Sequence, residues 1–135
     1  MEIKWTPWRN QYIKGDDQAE SGCVLCNAYQ ANDDVARLVL YRGGQVYVLM
    51  NLYPYNPGHL MVVPYEHTPD FASLAPDVAA ELMAMGQQCV AVLQAEMQPH
   101  GFNLGMNLGK VSGAGVDQHL HLHVVPRWNG DTNFM

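Results

Sequence analysis

Apolar positions along this chain follow two different periods. From residue 38 to residue 64 they fall in short runs, at 38–41, 46–50 and 59–64, rich in β-branched and aromatic side chains. Arg42-Gly43-Gly44 separates the first two runs and marks a tight turn, so these segments are predicted to form a hairpin. Residues 51–58 hold two prolines, two asparagines and a glycine, and read as a loop leading into a third strand. The period then changes. Val78, Leu82, Met85, Cys89, Val92 or Leu93, and Met97 recur at three- and four-residue spacing, which predicts a helix over 76–97 with one apolar stripe facing a sheet. Pro76 suits a first helical position, Asp77 the positive end of the helix dipole, and Pro99 stops continuation. Two more strands are predicted near 102–107 and 120–126, joined by a loop over 108–118. Strands, one long helix and strands again define an α+β fold, an antiparallel sheet of about five strands with one helix over it. Cys89 lies on the apolar stripe and reads as a core thiol. The aromatic, proline-containing opening around Trp5-Thr6-Pro7-Trp8-Arg9 reads as an irregular arm.

Composition narrows the class. A chain of 135 residues accommodates one hydrophobic core, hence one domain over 1–135. The formal net charge of −6 argues against broad nucleic-acid or anionic-membrane binding, which needs a basic footprint, while a small phosphorylated ligand stays compatible. No apolar run approaches the roughly 20 residues of a membrane span. No basic-then-apolar leader opens the sequence, so the cytoplasm is the expected compartment. Three cysteines are an odd count, and Cys23-Val24-Leu25-Cys26 points to a metal or redox site rather than a disulfide framework.

The run His119-Leu120-His121-Leu122-His123 carries the chemistry. On a strand, alternate side chains share a face, so three imidazoles project together at steps of about 7 Å while Leu120, Leu122 and Val124 pack behind. Three charged imidazoles would repel one another, so at least two are expected neutral at pH 7. Two readings follow, a three-histidine metal site and imidazole catalysis on an anion. Lys110-Val111-Ser112-Gly113-Ala114-Gly115-Val116, directly upstream, is a small-residue loop of the kind whose backbone N–H groups approach a bound phosphate, which favours the second reading.

These residues are similar to those of a known family. His119-Leu120-His121-Leu122-His123-Val124-Val125 resembles the histidine-triad pattern, and Pro57-Gly58-His59-Leu60-Met61-Val62-Val63-Pro64 resembles that family's second signature. Asn107-Leu108-Gly109 and the small-residue loop resemble its phosphate-binding segment. Both flanks, 5–13 and 126–135, are similar to the microbial branch that includes diadenosine tetraphosphate phosphorylases. The resemblance implies that His121 is a nucleophile forming a nucleotidyl-imidazole intermediate, with its other ring nitrogen donating to a backbone carbonyl. It implies that His123 contacts the phosphate and the leaving-group oxygen, and that His59 buttresses the triad. Asn51 would meet the ribose hydroxyls, Leu49 the base, and Asn107 with Gly113, Ala114 and Gly115 the phosphates. A structural zinc would sit on Cys23, Cys26, His67 and His119, a two-sulfur, two-nitrogen set suited to tetrahedral coordination. The implied partners are a purine nucleotide and a second copy of the chain.

The sequence departs from the family in its phosphate loop. Gly113-Ala114-Gly115-Val116 lacks the glutamine or serine that many relatives place there, leaving open whether water or inorganic phosphate resolves the intermediate. His123 in the third triad position, rather than glutamine, argues against a sugar-phosphate transferase. The expected activity is a nucleotide hydrolase or phosphorylase acting on an adenosine dinucleotide polyphosphate or a nucleoside phosphoramidate. The competing classes are a non-catalytic nucleotide- or zinc-binding module and a zinc hydrolase using all three triad histidines, the latter lacking any nearby carboxylate except Asp117.

Overall fold

The computed structural model describes residues 22–51, 57–112 and 116–131. The N-terminal aromatic segment, the loop positions Gly113, Ala114 and Gly115, and the last four residues lie outside them. Five strands form one antiparallel sheet: β1 (Val39–Arg42), β2 (Val46–Met50), β3 (Leu60–Pro64), β4 (Gly101–Gly105) and β5 (Leu122–Arg127), in the order β1-β2-β3-β5-β4. Three short-linked strands form the expected meander, and β5 returns beside β3 after the helix.

The long helix, here α3 (Pro76–Met97), has the predicted bounds, and its chain leaves through Gln98 in the left-handed region at φ 50. Val78, Leu82, Gly86, Cys89 and Leu93 are its buried residues. Of the two alternatives on the stripe, Leu93 faces the core, whereas Val92 is 56% exposed. The helix covers one face of the sheet, packing on Val46, Val48, Leu60, Val62, Leu120, Leu122 and Val124. Gly86 permits the close approach, because a β-carbon there would lie 3.0 Å from Leu122 Cδ2. Glu81 ties helix to hairpin: its Oε2 accepts from the backbone N–H of Gln45 at 2.8 Å and of Val46 at 3.2 Å.

The other face is covered by α1 (Val24–Gln30), which the pattern of apolar residues did not predict; α2 (Asp34–Arg37), equally unpredicted, buries no residue. Both are too short for a stripe to show, yet Leu25 and Ala28 are buried against Val39, Tyr47, Leu49, Met61 and Val63. The Tyr47 hydroxyl donates to the Leu25 carbonyl at 2.5 Å, and the rings of Tyr29 and Tyr65 pack on that of Tyr47. Asp33 caps α2 by accepting from the Ala36 N–H.

Gly58 sets the entry to β3. Its φ is +83, and an added β-carbon would meet Met97 Sδ at 2.7 Å, Pro126 Cγ at 3.2 Å and Leu93 Cδ2 at 3.3 Å. A Gly58→Ala substitution combines left-handed strain with overpacking, and is expected to cost about 2–4 kcal/mol in urea unfolding. A loss below about 1 kcal/mol would show that this turn relaxes without consequence.

Candidate functional site

Sequence parity decides which side chains meet. Leu120, Leu122 and Val124 belong to the cluster under α3. Met61 and Val63 belong to the opposite cluster, so His123 on β5 faces that opposite side, where His59 and His121 contact its ring and His119 meets Cys23. Register brings them close: Met61 on β3 pairs with His123 on β5, and His59 precedes Met61 by two residues. All four histidines are buried, His119 fully so.

The strand carrying them is shorter than expected. β5 begins at Leu122 rather than Leu120, so His119 and His121 precede it. The cause is local: β3 ends at Pro64, which has no N–H to continue a ladder. The Leu120 N–H bonds instead to the Thr68 carbonyl at 2.9 Å, and His119 Nε2 takes the Pro64 carbonyl at 2.8 Å. As a result the three triad rings do not converge on one point. His119 stacks edge-on with His67 at 5.1 Å between centroids, and His121 with His123 at 4.8 Å.

One group gathers around His121 and His123. His121 Nδ1 lies 2.9 Å from the His119 carbonyl oxygen. A carbonyl only accepts, so the proton sits on Nδ1 and the lone pair on Nε2. Burial holds the His121 pKa below the usual histidine value, although the carbonyl bond works the other way. His123 is pushed down to about 4 by burial and by its neighbour His121. Both rings are therefore neutral at pH 7. His59 Nε2 lies 2.8 Å from His123 Nδ1, and Asn51 Nδ2 lies 3.3 Å from His59 Nδ1. This is a pair of neutral imidazoles supported from behind by a third, an arrangement for nucleophilic and proton-donor chemistry on an anion.

The second group is ligating in character. Cys23, Cys26, His67 and His119 each offer one donor atom within 4.8 Å of the others, and could hold a metal ion. Among the described residues no other cluster of three or more ligating side chains has this form. Its edges fit a tetrahedron. His67 Nδ1 to His119 Nδ1 is 3.3 Å, and three of the four sulfur–nitrogen edges, Cys23–His119, Cys26–His67 and Cys26–His119, are 3.3, 3.5 and 3.5 Å. Bonds of about 2.0–2.1 Å to nitrogen and 2.3 Å to sulfur give tetrahedral edges of about 3.4 Å between nitrogens and about 3.6 Å from nitrogen to sulfur. Burial opposes ionisation of Cys23, but His119 and the backbone at the start of α1 outweigh it and bring its pKa down to about 6. Burial, then the neighbouring Cys23, raises Cys26 to about 11. Because His119 serves this group, the triad does not form a three-histidine metal site.

The remaining expected residues are placed less decisively. Leu49 is buried in the cluster beneath α1, on the histidine side of the sheet. Asn107 lies in the segment leaving β4, whose last residue Gly105 pairs with His123. Gly113, Ala114 and Gly115 fall outside the described residues. His100 Nδ1 accepts from the Asn129 N–H at 2.7 Å. Two participants escaped the sequence reading. The Pro64 carbonyl anchors His119, and a backbone acceptor leaves no residue-type signal. The contact between Asn51 and His59 spans a loop whose register only the folded hairpin reveals.

Comparison with known proteins bears on this geometry. The model of the HIT domain matches residues 32–130. The chain belongs to the HIT domain family. It is 44% identical over 142 aligned positions to an AP-4-A phosphorylase of Mycobacterium tuberculosis, covering all of this chain and 72% of that protein. It is 28% identical to an asymmetrical bis(5'-nucleosyl)-tetraphosphatase of Schizosaccharomyces pombe over 103 positions, 76% of this chain and 56% of that one. Among solved HIT structures, a zinc-bound histidine triad family protein of Mycobacterium smegmatis superposes with a TM-score of 0.73 at 30% identity, covering 84% of this chain and 81% of that chain. The HIT fold accounts for the five-stranded sheet and the long helix.

The depressed His123 pKa has a consequence for stability. An unfolded histidine titrates near about 6.5, so between that value and about 4 the unfolded chain binds the extra proton and the folded chain does not. Stability is therefore unaffected above pH 6.5 and is lost as pH falls through this window, by up to about 3 kcal/mol from this residue. A His123→Asn variant should show a shallower decline in urea midpoint between pH 6.5 and 4.5 than the wild type. Parallel declines would contradict the burial argument.

Proposed function

We propose that this HIT protein cleaves an adenosine dinucleotide polyphosphate at the α-phosphate through a nucleotidyl intermediate on His121. The observation that carries the proposal is the 2.9 Å bond from His121 Nδ1 to the His119 carbonyl, which leaves a buried, neutral ring with its Nε2 lone pair available as a nucleophile. The names of the phosphorylase and tetraphosphatase relatives support the substrate class.

Two displacements compose the reaction. In the first, His121 Nε2 forms a bond to the α-phosphorus while the bond to the departing polyphosphate oxygen breaks. The ring keeps its Nδ1 proton and becomes cationic, and the His119 carbonyl stabilises that charge. His123, in edge contact with His121, donates a hydrogen bond to the leaving oxygen. In the second, an acceptor oxygen attacks the phosphorus, the nitrogen–phosphorus bond breaks, and neutral His121 is restored. Inorganic phosphate is the acceptor best supported, given the 44% identical relative. Asn51, Leu49, Asn107 and the backbone of Gly113, Ala114 and Gly115 are the proposed contacts to ribose, base and phosphates.

We assign zinc to the cluster of Cys23, Cys26, His67 and His119, whose donor set and the edges given above fit it; that a structural relative is itself zinc-bound supports the choice of metal. Bound there, the ion supplies structural cross-linking rather than Lewis-acid chemistry. His119 transmits the consequence, since its ring belongs to the cluster and its carbonyl holds His121. The edge of β4 and the exposed Leu104 are the proposed contact with a second copy in a homodimer, and the cytoplasm is the proposed location.

Incubation with diadenosine tetraphosphate tests the activity. With inorganic phosphate present the protein should release adenosine diphosphate, and His121→Ala should lower turnover on the order of 10³-fold or more. Adenosine monophosphate formed without added phosphate would assign water as the acceptor. Absence of turnover here and on an adenosine phosphoramidate would favour a binding module. For the metal, purified protein should contain one zinc per chain. A Cys23→Ser change should weaken zinc by more than about tenfold, the loss that follows even from removing a residue that only supports a ligand.

A further inference from the structure

The hydrogen-bonded line behind His123 reaches a residue that the reaction above uses only for ribose. Asn51 directly follows β2, and its N–H donates to the His59 carbonyl at 3.1 Å, continuing the β2–β3 pairing by one step beyond Met50 and Leu60. That step sets the two side chains beside each other, with Asn51 Nδ2 at 3.3 Å from His59 Nδ1. His59, 1% exposed, passes the line on through Nε2 to His123 Nδ1 at 2.8 Å.

Where each of two linked imidazoles carries a single ring proton, the role taken at one end dictates the role at the other. The Asn51 amide nitrogen only donates, so His59 Nδ1 accepts and the His59 proton lies on Nε2. That proton is given to His123 Nδ1, and the single proton of His123 must then lie on its own Nε2. An acceptor at the Asn51 end would reverse every step and place a lone pair on His123 Nε2. The His121 lone pair would then have another beside it, and the pair would face an anionic phosphate with no donor between them.

We propose that Asn51 is a positioning residue that, through His59, holds His123 as its Nε2–H tautomer, so that the site offers a phosphate one lone pair and one N–H. The role rests on the proposed chemistry of His121 and His123, but the tautomer is a property of the resting protein. It makes the entrance of the nucleotide sugar and the readiness of the proton donor depend on one amide. Loss of a ribose contact alone would raise KM and leave kcat intact, whereas loss of the tautomer lowers kcat.

Long-range proton–nitrogen correlation spectra of zinc-loaded protein with nitrogen-15 histidine report the protonated nitrogen of each ring without any need for turnover. Wild-type protein should show His59 and His123 protonated on Nε2 and His121 on Nδ1. Asn51→Leu, which removes the donor at similar size, should leave His123 as a mixture of tautomers. Asn51→Asp, isosteric and acceptor-only, should take His123 out of the single Nε2–H form while His121 keeps its Nδ1–H, and this second variant decides the matter if the first fails to fold. On diadenosine tetraphosphate, kcat of Asn51→Asp should fall about tenfold to a hundredfold, part of the about 10²–10⁴ that a positioned proton donor supplies. A wild-type His123 protonated on Nδ1, an unchanged His123 in both variants, or a loss confined to KM would overturn the proposal. Should no substrate turn over, the spectra still decide the tautomer, so failure of the catalytic reading is told apart from failure of this one.

Discussion

The bond between His121 Nδ1 and the carbonyl of His119 is the contact on which the rest of the site depends. It works because His119 cannot move. The ring is fully buried, its Nε2 is held by the Pro64 carbonyl, and its Nδ1 faces two sulfurs and His67. A residue pinned through its side chain presents its main-chain oxygen in one place, and that oxygen determines which nitrogen of the next histidine carries a proton. The cluster able to hold a metal and the proposed reactive pair thus meet at one residue.

The sheet divides the remaining work between its faces. Under α3, aliphatic residues from β2, β3 and β5 form an uninterrupted apolar layer around Cys89 and Gly86. The opposite face is also buried, beneath α1 with Tyr29, Tyr47 and Tyr65 packed together, but there the buried groups include four imidazoles. Burial disfavours the charged forms of His121 and His123, which keeps neutral two rings that water would leave partly protonated near neutrality, as the proposed nucleophile and donor require. The hydrogen bonds to carbonyls and between rings keep their nitrogens satisfied in that dry setting, and none of the buried side-chain polar atoms described lacks a partner.

Much of this was legible in the residues. The helix from Pro76 to Met97 announced both its ends through Pro76, Asp77 and Pro99, and of its stripe Val78, Leu82, Cys89 and Leu93 are buried while Met85 and Met97 are partly so; Gly86, buried beside Leu122, carried no apolar signal. Alternation placed Leu120, Leu122 and Val124 against the helix and the histidines on the other side. Alternation alone also implied three imidazoles side by side, and there the inference failed, because Pro64 ends the ladder on β3 and turns His119 toward the cysteines. The grouping of Cys23, Cys26, His67 and His119 came from family resemblance, since spacing alone left Cys23 and Cys26 without partners. Helices α1 and α2 were illegible because one and two turns carry too few apolar positions to define a period. The link from Asn51 to His59 depends on cross-strand register, which no linear pattern displays.

The central claim is that covalent chemistry occurs on His121, and mass spectrometry after an alkaline quench of a single turnover tests it most directly. A nitrogen–phosphorus bond survives alkali, so the account predicts a peptide containing His121 heavier by one adenylyl group, absent from protein carrying His121→Ala. An unmodified His121 peptide throughout a turnover that still yields product, or an adenylyl group found on His123 or His59 instead, would contradict it.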